Sequence, residues 1–543
     1  MVERRDVVLL LILTGASLAL GLHAIDAWPL WYDEAFTAEH VRVFDWELLI
    51  RDGTRNPPLH ILLSKAWALV FGGSDFSLRA FSAWAGAAAI PAVYLLADEL
   101  FDRATARIAA VLMATSPLHV YFSQECRTYS LLIVVVAAFY WFLLRALAHG
   151  RLRDWIGFAA AGAIGAFLHY FMAFALLASA LPVLVWKRDE HTVRRIGSYA
   201  ACLLAIGATL APWIRLSFSV RHGVLFDPFW IERIGALQAA KATLEVLSLG
   251  GTKGYHLWKQ YMSLDYPRSW RYAGLVCVVG LLASALAAGA PPRAARATVR
   301  STAIAVGLVV LPCLGLLLAS RLYVPMYKVG RYDLIAFVPL VVLIARGGAA
   351  LLVRSRALGA AALGFLLCLY GVELRLYYAQ PVQLPLSYPG QDFARVLGDR
   401  VRPGEAVLLY NDGLIARHYA ARFGLAWDGD HCGRPGEFAI PCRLLVQSKI
   451  GPIFDFETGR RSDQPETVEP FVDALLSDRR DRVARVWVDD LSLPFLDSAL
   501  AAHGFLLKET IRPAPENKRQ LLLFERGADP TASLGDAITA SRP

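Results

Sequence analysis

The chain has 543 residues, of which 56% are hydrophobic and 19% charged, and its formal net charge is +9. Soluble domains carry about 25% charged residues, so this balance, with a mean hydropathy of +0.44, sets aside an ordinary soluble protein. The positive charge does not point to nucleic acid, because the arginines form short clusters between apolar runs, as in cytoplasmic loops that obey the positive-inside rule.

Crossing a hydrocarbon core takes about 20 apolar residues per helix. The first such run is Val7 to Ile25, and without a convincing small-residue cleavage site after it, it reads as a retained anchor. Trp31-Tyr32-Asp33-Glu34-Ala35-Phe36 follows, two adjacent carboxylates where a membrane helix emerges into water. Acidic residues favour helix N-termini, so the pair can simply cap the helix that begins at Ala35. From Ala35 to Ile50 a helical period puts Phe36, Val43, Trp46, Leu49 and Ile50 on one face, the pattern of a helix lying on the membrane surface. Pro57-Pro58 opens another apolar helix, Leu59 to Phe71, which is short, carries Lys65 and ends at Gly72-Gly73. It is read as a surface helix, because only then do Arg103, Arg107, Arg151 and Arg153 fall on the cytoplasmic side.

The next spans are expected at Asp75–Ala97, Thr105–Phe122 and Tyr129–Ala148. Trp155 to Trp186 has cationic residues at both ends, so it is a hairpin turning near His169-Tyr170. Ile196–Ile214 leads to an outer loop that contains a surface helix, Ala236–Leu249. Tyr272–Ala290, Ala303–Ser320, Tyr332–Leu352 and Leu358–Tyr377 complete about eleven spans, with the N-terminus inside and the C-terminus outside. The membrane domain is then residues 1–379, with its first outer loop at 26–74. Residues 380–526 read as a soluble α/β domain on the outer face. Its strands are expected at Ala406–Tyr410, Arg485–Val488 and Gln520–Phe524, with helices from Leu414 and near Glu469–Leu476. Residues 527–543 read as a disordered tail. Cys202, Cys277, Cys313 and Cys368 lie in apolar runs as small core residues and Cys126 at a run boundary, whereas Cys432 and Cys442 are placed for an extracytoplasmic disulfide.

That topology gathers the unusual residues on one side: Asp33 and Glu34; Asn56 and His60; Gln124, Glu125, Arg127 and Tyr129; His169 and Tyr170; Lys328, Arg331 and Tyr332. Each also has a plain reading, as a cap, a helix start or a turn residue. Arg321, Lys328 and Arg331 differ, since three outer positive charges run against the orientation rule. An anionic ligand, a phosphate held by a guanidinium fork and a point charge, explains them, and so does snorkelling to lipid headgroups.

Several strings resemble a known family: Trp-Tyr-Asp-Glu-Ala, Asn-Pro-Pro-Leu-His, Gly-Gly-Ser-Asp-Phe-Ser-Leu-Arg, Ser-Pro-Leu-His-Val-Tyr-Phe-Ser-Gln-Glu-Cys-Arg-Thr-Tyr-Ser-Leu and Gly-Arg-Tyr-Asp. They are similar to the bacterial family 39-type glycosyltransferases, relatives of protein O-mannosyltransferases and aminoarabinose transferases. The resemblance covers Val7 to Leu352, with its most specific string at Ser116 to Leu131, and leaves out the soluble tail. It implies the GT-C fold, a bacterial inner-membrane location and sugar transfer from a polyprenyl-phosphate donor to a lipid, glycan or protein acceptor. It makes Asp33 the catalytic base, and Arg127 and Arg331, with Tyr129 nearby, the groups that meet the carrier phosphate. Aminoarabinose transferases carry lysine where this chain has Asn56, which argues against aminoarabinose as the sugar. Glu34 is left to orient Asp33 or to help bind a divalent cation. The site is otherwise read as metal-free, since the ligand set is thin. Two other readings remain at this stage: a metal-dependent transferase with Asp33 and Glu34 as ligands, and a lipid-linked sugar transporter.

Overall fold

The structure is a computed structural model and describes residues 3–44, 46, 49–50, 57–220, 233–250, 268–288, 295–379, 390–402, 405–409, 412–428, 431–434, 437–448, 451–455, 461–462, 483–489, 500–512 and 520–527. Contacts divide the chain into two units: Met1–Ala27 with His40–Gln380, and Trp28–Glu39 with Pro381–Pro543.

The first unit is helical: α1 (Arg4–Leu22), α2 (Tyr32–Val43, which begins in the other unit), α3 (Leu59–Phe71), α4 (Asp75–Leu100), α5 (Arg103–Thr115), α6 (Pro117–Ser123), α7 (Tyr129–His149) and α8 (Leu152–Leu168). It continues with α9 (Met172–Ala178), α10 (Ala180–Val185), α11 (Thr192–Val220), α12 (Ala236–Leu249), α13 (Arg268–Leu286), α14 (Ala295–Leu322), α15 (Phe337–Arg354) and α16 (Arg356–Ala379). Among the described residues eight helical stretches are long and apolar enough to cross a membrane, against the eleven expected. The three that differ are broken or short. Pro117 disfavours helical backbone at Ser116, which is extended at φ −62°, ψ 125°, so the run expected at Thr105–Phe122 becomes α5 and α6. The hairpin turns at His169, as its flanking charges require, but its first arm, α8, has 17 residues and its second is divided at Ser179 into α9 and α10. Leu59–Phe71 is a 13-residue helix closed by Gly72 at φ +84°, a conformation that favours glycine.

The inner core is α4, α7 and the stretch Leu334–Arg354, the last with 83% of its apolar window buried, whereas the windows of α1 and α11 are 17% buried and form the rim. Close packing is built into the sequence: a Cβ at Gly347 would stand 1.8 Å from the Leu281 carbonyl oxygen, so α13 and α15 meet there backbone to backbone. At the end that carries the arginine clusters, side-chain pairs tie the helices together. Arg107 Nε donates to Asp6 Oδ1 at 2.5 Å, Arg346 to Asp102 Oδ2 at 2.7 Å and Arg145 to Asp154 Oδ1 at 3.1 Å.

The second unit holds α17 (Gly390–Arg400), α18 (Asp412–Ala420) and a sheet. Its strands are β1 (Glu405–Leu409), β2 (Ala426–Asp428), β3 (His431–Arg434), β4 (Glu437–Ser448), β5 (Gly451–Asp455), β6 (Arg461–Ser462), β7 (Arg485–Asp489), β8 (Phe505–Ile511) and β9 (Leu521–Arg526). The main path is β2-β3-β4-β1-β7-β9-β8, in which β1 is parallel to β4 and β7. A parallel central strand is covered on both faces, and every residue of β1 is buried. Glu405 begins that strand and is satisfied by Trp487 Nε1 at 2.7 Å and the Arg402 amide at 3.1 Å. Trp28–Glu39 joins this unit through a 2.7 Å bond from the Leu30 amide to the Tyr419 hydroxyl and a 3.3 Å pair between Arg417 and Glu39. The expected helix near Glu469–Leu476 and the tail after Gly527 lie outside the described residues. Cys432 stands opposite Ile440 in the β3–β4 ladder, and the side chains of Cys432 and Cys442 lie outside the described part.

Candidate functional site

Two turns of the first unit position the cationic residues. The turn between α6 and α7 carries Arg127; it is braced where Thr128 Oγ1 donates to the Leu168 carbonyl at 3.2 Å and Ser130 Oγ to the Phe122 carbonyl at 2.6 Å. The turn before α15 carries Lys328 and Arg331. Both the Arg331 and the Tyr332 amides donate to the Lys328 carbonyl, at 3.2 and 2.9 Å, and Gly330 sits at φ +72°.

Arg331 is 6% exposed. Its Nε donates to the Tyr129 hydroxyl, and its guanidinium carbon stands 5.4 Å from the Tyr129 ring centroid and 5.9 Å from that of Tyr332. A guanidinium beside two aromatic rings, one of them also a hydrogen-bond partner, is held in one plane. The rings continue: His169 lies 6.0 Å from Tyr129 and 5.5 Å from Tyr332, and Phe171 lies 4.4 Å from Tyr332. His169 Nδ1 accepts the Phe171 amide at 3.2 Å, which assigns the proton of the neutral ring to Nε2. Burial, then the charges of Arg331 and Arg127, push the His169 pKa well below its ordinary value. Burial and then Arg127 push His60, on α3, down to about 3. Two neutral imidazoles and two guanidiniums thus share one electrostatic neighbourhood. Asp333, two residues beyond Arg331, is pushed up to about 7 by burial, against a hydrogen bond from Thr243 that lowers it.

Other expected residues have protein partners of their own. Gln124 bridges helices. Its Nε2 donates to the carbonyls of Leu20, Gly21 and His23 at 3.4, 3.2 and 2.6 Å, and its Oε1 accepts the Tyr377 hydroxyl at 2.7 Å. The amide therefore joins α1, the end of α6 and α16. Glu125 accepts from the Tyr121 hydroxyl at 3.3 Å, Tyr170 accepts from Trp213 Nε1 at 3.1 Å, and Arg321 donates to the Ile234 carbonyl at 3.1 Å. Asn56 lies outside the described residues. We expect Gln124→Ala to destabilise the purified protein by about 1–3 kcal/mol, the range for stranding buried polar partners. A lowered melting temperature is the result expected; an unchanged one would mean that the Gln124 bridge does not hold these helices together.

In the second unit the two carboxylates of the opening motif divide. Glu34 is 1% exposed, and its Oε2 accepts the Trp31 amide at 3.3 Å. With α2 beginning at Tyr32, that is the returning arm of a capping box. Asp33 is half-buried, and its backbone carbonyl accepts Thr37 Oγ1 at 3.1 Å. Glu34 thus takes part in the capping expected for the pair. Among the described residues no group of three or more His, Cys, Asp and Glu gathers to hold a metal ion.

Sequence reasoning passed over Phe171 and Thr243, and gave no role to Tyr327, which stands in the string Tyr327-Lys328-Val329-Gly330-Arg331-Tyr332, or to Asp333. Asp333 lay in a quoted motif, Gly-Arg-Tyr-Asp, at the opening of an apolar run, where an isolated acid is itself a signal.

Residues 55–214 match the family model described as dolichyl-phosphate-mannose-protein mannosyltransferase. Over 157 residues the chain is 25% identical to the "Putative mannosyltransferase YkcB" of Bacillus subtilis (strain 168), a match that covers 29% of this chain and 22% of that protein. The chain therefore spans less than a quarter of that curated relative. Its fold is similar to that of ArnT from Cupriavidus metallidurans bound to undecaprenyl phosphate, with a TM-score of 0.58, 14% identity and coverage of 96% of this chain and 99% of that one. The apo state of the same protein matches with a TM-score of 0.58 at 14% identity, over 96% and 98% of the two chains. With the motifs read above, these likenesses define the class: a multi-pass membrane protein with the GT-C fold, similar to the family 39-type glycosyltransferases. The matched stretch 55–214 takes in His60, Gln124, Glu125, Arg127, Tyr129, His169 and Tyr170; Asp33 and Arg331 lie outside it.

Proposed function

We propose that the chain is a membrane glycosyltransferase that moves a sugar from a polyprenyl-phosphate donor to an acceptor hydroxyl at the outer face of a bacterial inner membrane. The observation that carries the reading is Arg331, buried against Tyr129 and Tyr332, in the same electrostatic neighbourhood as Arg127 and His169. A buried guanidinium held in plane suits a phosphate, which accepts two parallel N–H bonds. The undecaprenyl phosphate bound by the similar ArnT supports a lipid phosphate as that anion.

In the proposed reaction the acceptor oxygen bonds to the anomeric carbon as the carbon–oxygen bond to phosphate breaks. The electron pair of that bond leaves with the polyprenyl phosphate. Asp33 accepts the hydroxyl proton as the new bond forms, and Arg127, Arg331 and Lys328 stabilise the charge that grows on the departing phosphate. One displacement without a covalent intermediate inverts the anomeric centre. Glu34 supports Asp33 by fixing the first turn of α2. His60 and His169, kept neutral, are hydrogen-bonding groups for the sugar-phosphate. Incubating the purified protein with polyprenyl-phosphate sugars and following the released polyprenyl phosphate tests the reaction; transport of intact donor across a vesicle without its consumption would favour the transporter.

The same reading sets the orientation. In spheroplasts, a cysteine introduced at Lys328 is expected to react with an impermeant thiol reagent, and one at Arg103 to react only after lysis. Labelling of Arg103 from outside would reverse the topology and with it the proposed location of the site.

A further inference from the structure

Asp333 has no part in the proposed reaction, yet it is 1% exposed. A buried carboxyl is costly unless hydrogen-bonded, so its partners indicate what keeps it there. Thr243 Oγ1 donates to Asp333 Oδ2 at 2.5 Å and shares a 2.8 Å hydrogen bond with the Tyr327 hydroxyl. Thr243 and Tyr327 are themselves buried. The backbone amides of Gly330, Arg331 and Asp333 turn toward the carboxyl, although Oδ1 gains no hydrogen bond of good geometry. Tyr327 and Asp333 therefore bracket the turn that carries Lys328 and Arg331, and Thr243 reaches both from α12. A further tie holds the entry to the turn: Ser320 Oγ accepts the amides of Met326 and Tyr327 at 3.1 and 3.3 Å.

The turn needs such ties. Gly330 lets it reverse, and glycine is also the residue that most loosens a backbone. Arginine's long side chain carries much rotamer entropy, and a phosphate site works only when its donors are already aimed. The Asp333 carboxyl is engaged with Thr243 rather than with the guanidinium two residues away, so the charge of Arg331 is not cancelled by its nearest acidic neighbour in sequence.

We propose that Asp333 is a positioning residue for the carrier phosphate: with Thr243 and Tyr327 it clamps the Lys328–Asp333 turn to α12 and so holds the Arg331 guanidinium in place against Tyr129. This rests on Arg331 being a phosphate ligand. The helix α12 thereby belongs to the phosphate-binding machinery through Thr243.

The test is binding of undecaprenyl monophosphate to the full chain in detergent, together with the donor KM and kcat where turnover is measurable. Thr243→Val removes the hydroxyl and keeps the shape. It should weaken lipid-phosphate binding about tenfold and raise KM more than it lowers kcat, as loss of one buried hydrogen bond at a preorganised site does. Thr243→Ser keeps the hydroxyl and should restore most of the affinity. In an Arg331→Ala background, Thr243→Val should weaken binding no further, because the group it positions is gone. Asp333→Asn should resemble Thr243→Val; if it does not fold, Tyr327→Phe serves as the second variant. Wild-type affinity in folded Thr243→Val, or a loss that adds fully to that of Arg331→Ala, would overturn the inference while the phosphate site stood. Unchanged affinity in Arg331→Ala itself would overturn the phosphate reading, and this inference with it.

Discussion

Replacing Asp33 by Asn is expected to lower turnover by about 10²–10⁴, the range for loss of a general base, with little change in donor affinity. The amide keeps the size and polarity of the carboxylate but cannot take the acceptor's proton. Asp33 lies in the first turn of α2, where Glu34 Oε2 accepts the Trp31 amide, and Asn, like Asp, suits a helix start. Single-turnover transfer with well-folded protein reads the effect, and a rate near that of the wild type would remove Asp33 from the chemistry.

The second large effect is expected at Arg331. Arg331→Ala removes the contact proposed to the bound donor, one that would strengthen as phosphate departs, so affinity and turnover should both fall. Hydrogen bonds to charged groups are worth about 1.5–3 kcal/mol, which corresponds to roughly 10–10²-fold in donor affinity. Arg331→Lys should recover little, because a point charge cannot keep the fork that donates to Tyr129 and a phosphate together. Lys328→Ala should resemble Arg331→Ala more mildly. Donor titration and single-turnover rates measured on the same preparations separate binding from chemistry, and unaltered affinity in Arg331→Ala would mean that the phosphate sits elsewhere.

Much of the helical layout was legible because membrane solvation writes it into the sequence. Apolar runs of spanning length, Gly72-Gly73 at the end of α3 and arginines between the runs mark the order of the helices, and eight of the eleven expected spans are continuous helices among the described residues. The hairpin at His169 followed from charge at both of its ends. The breaks were harder. Pro117 stands in an apolar run that hydropathy reads as one span, and only the backbone restriction it places on Ser116 divides it.

At the site, residue types were readable but their work was not always so. Spacing alone allowed Glu34 to be cap or catalyst, and only the geometry of α2 reveals that its carboxylate accepts the Trp31 amide. Gln124 stands in a polar string beside Arg127, which marks it as a candidate ligand but shows nothing of its packing. Its partners on α1 and α16 lie more than 100 and 250 residues away in sequence, beyond the reach of any local pattern. Asp333 was hidden for the same reason, since its role shows only when Thr243 arrives from α12.

The central claim, sugar transfer from a polyprenyl-phosphate donor by Asp33, is tested most directly by mass spectrometry of envelope glycolipids, glycans, proteins and polyprenyl-phosphate sugars. The comparison is between cells that carry the intact gene, no gene, or the Asp33→Asn variant expressed at the wild-type level. The account predicts that one sugar-bearing envelope product disappears in both altered strains, while its polyprenyl-phosphate sugar accumulates. A product lost without the gene but fully restored by Asp33→Asn would contradict it.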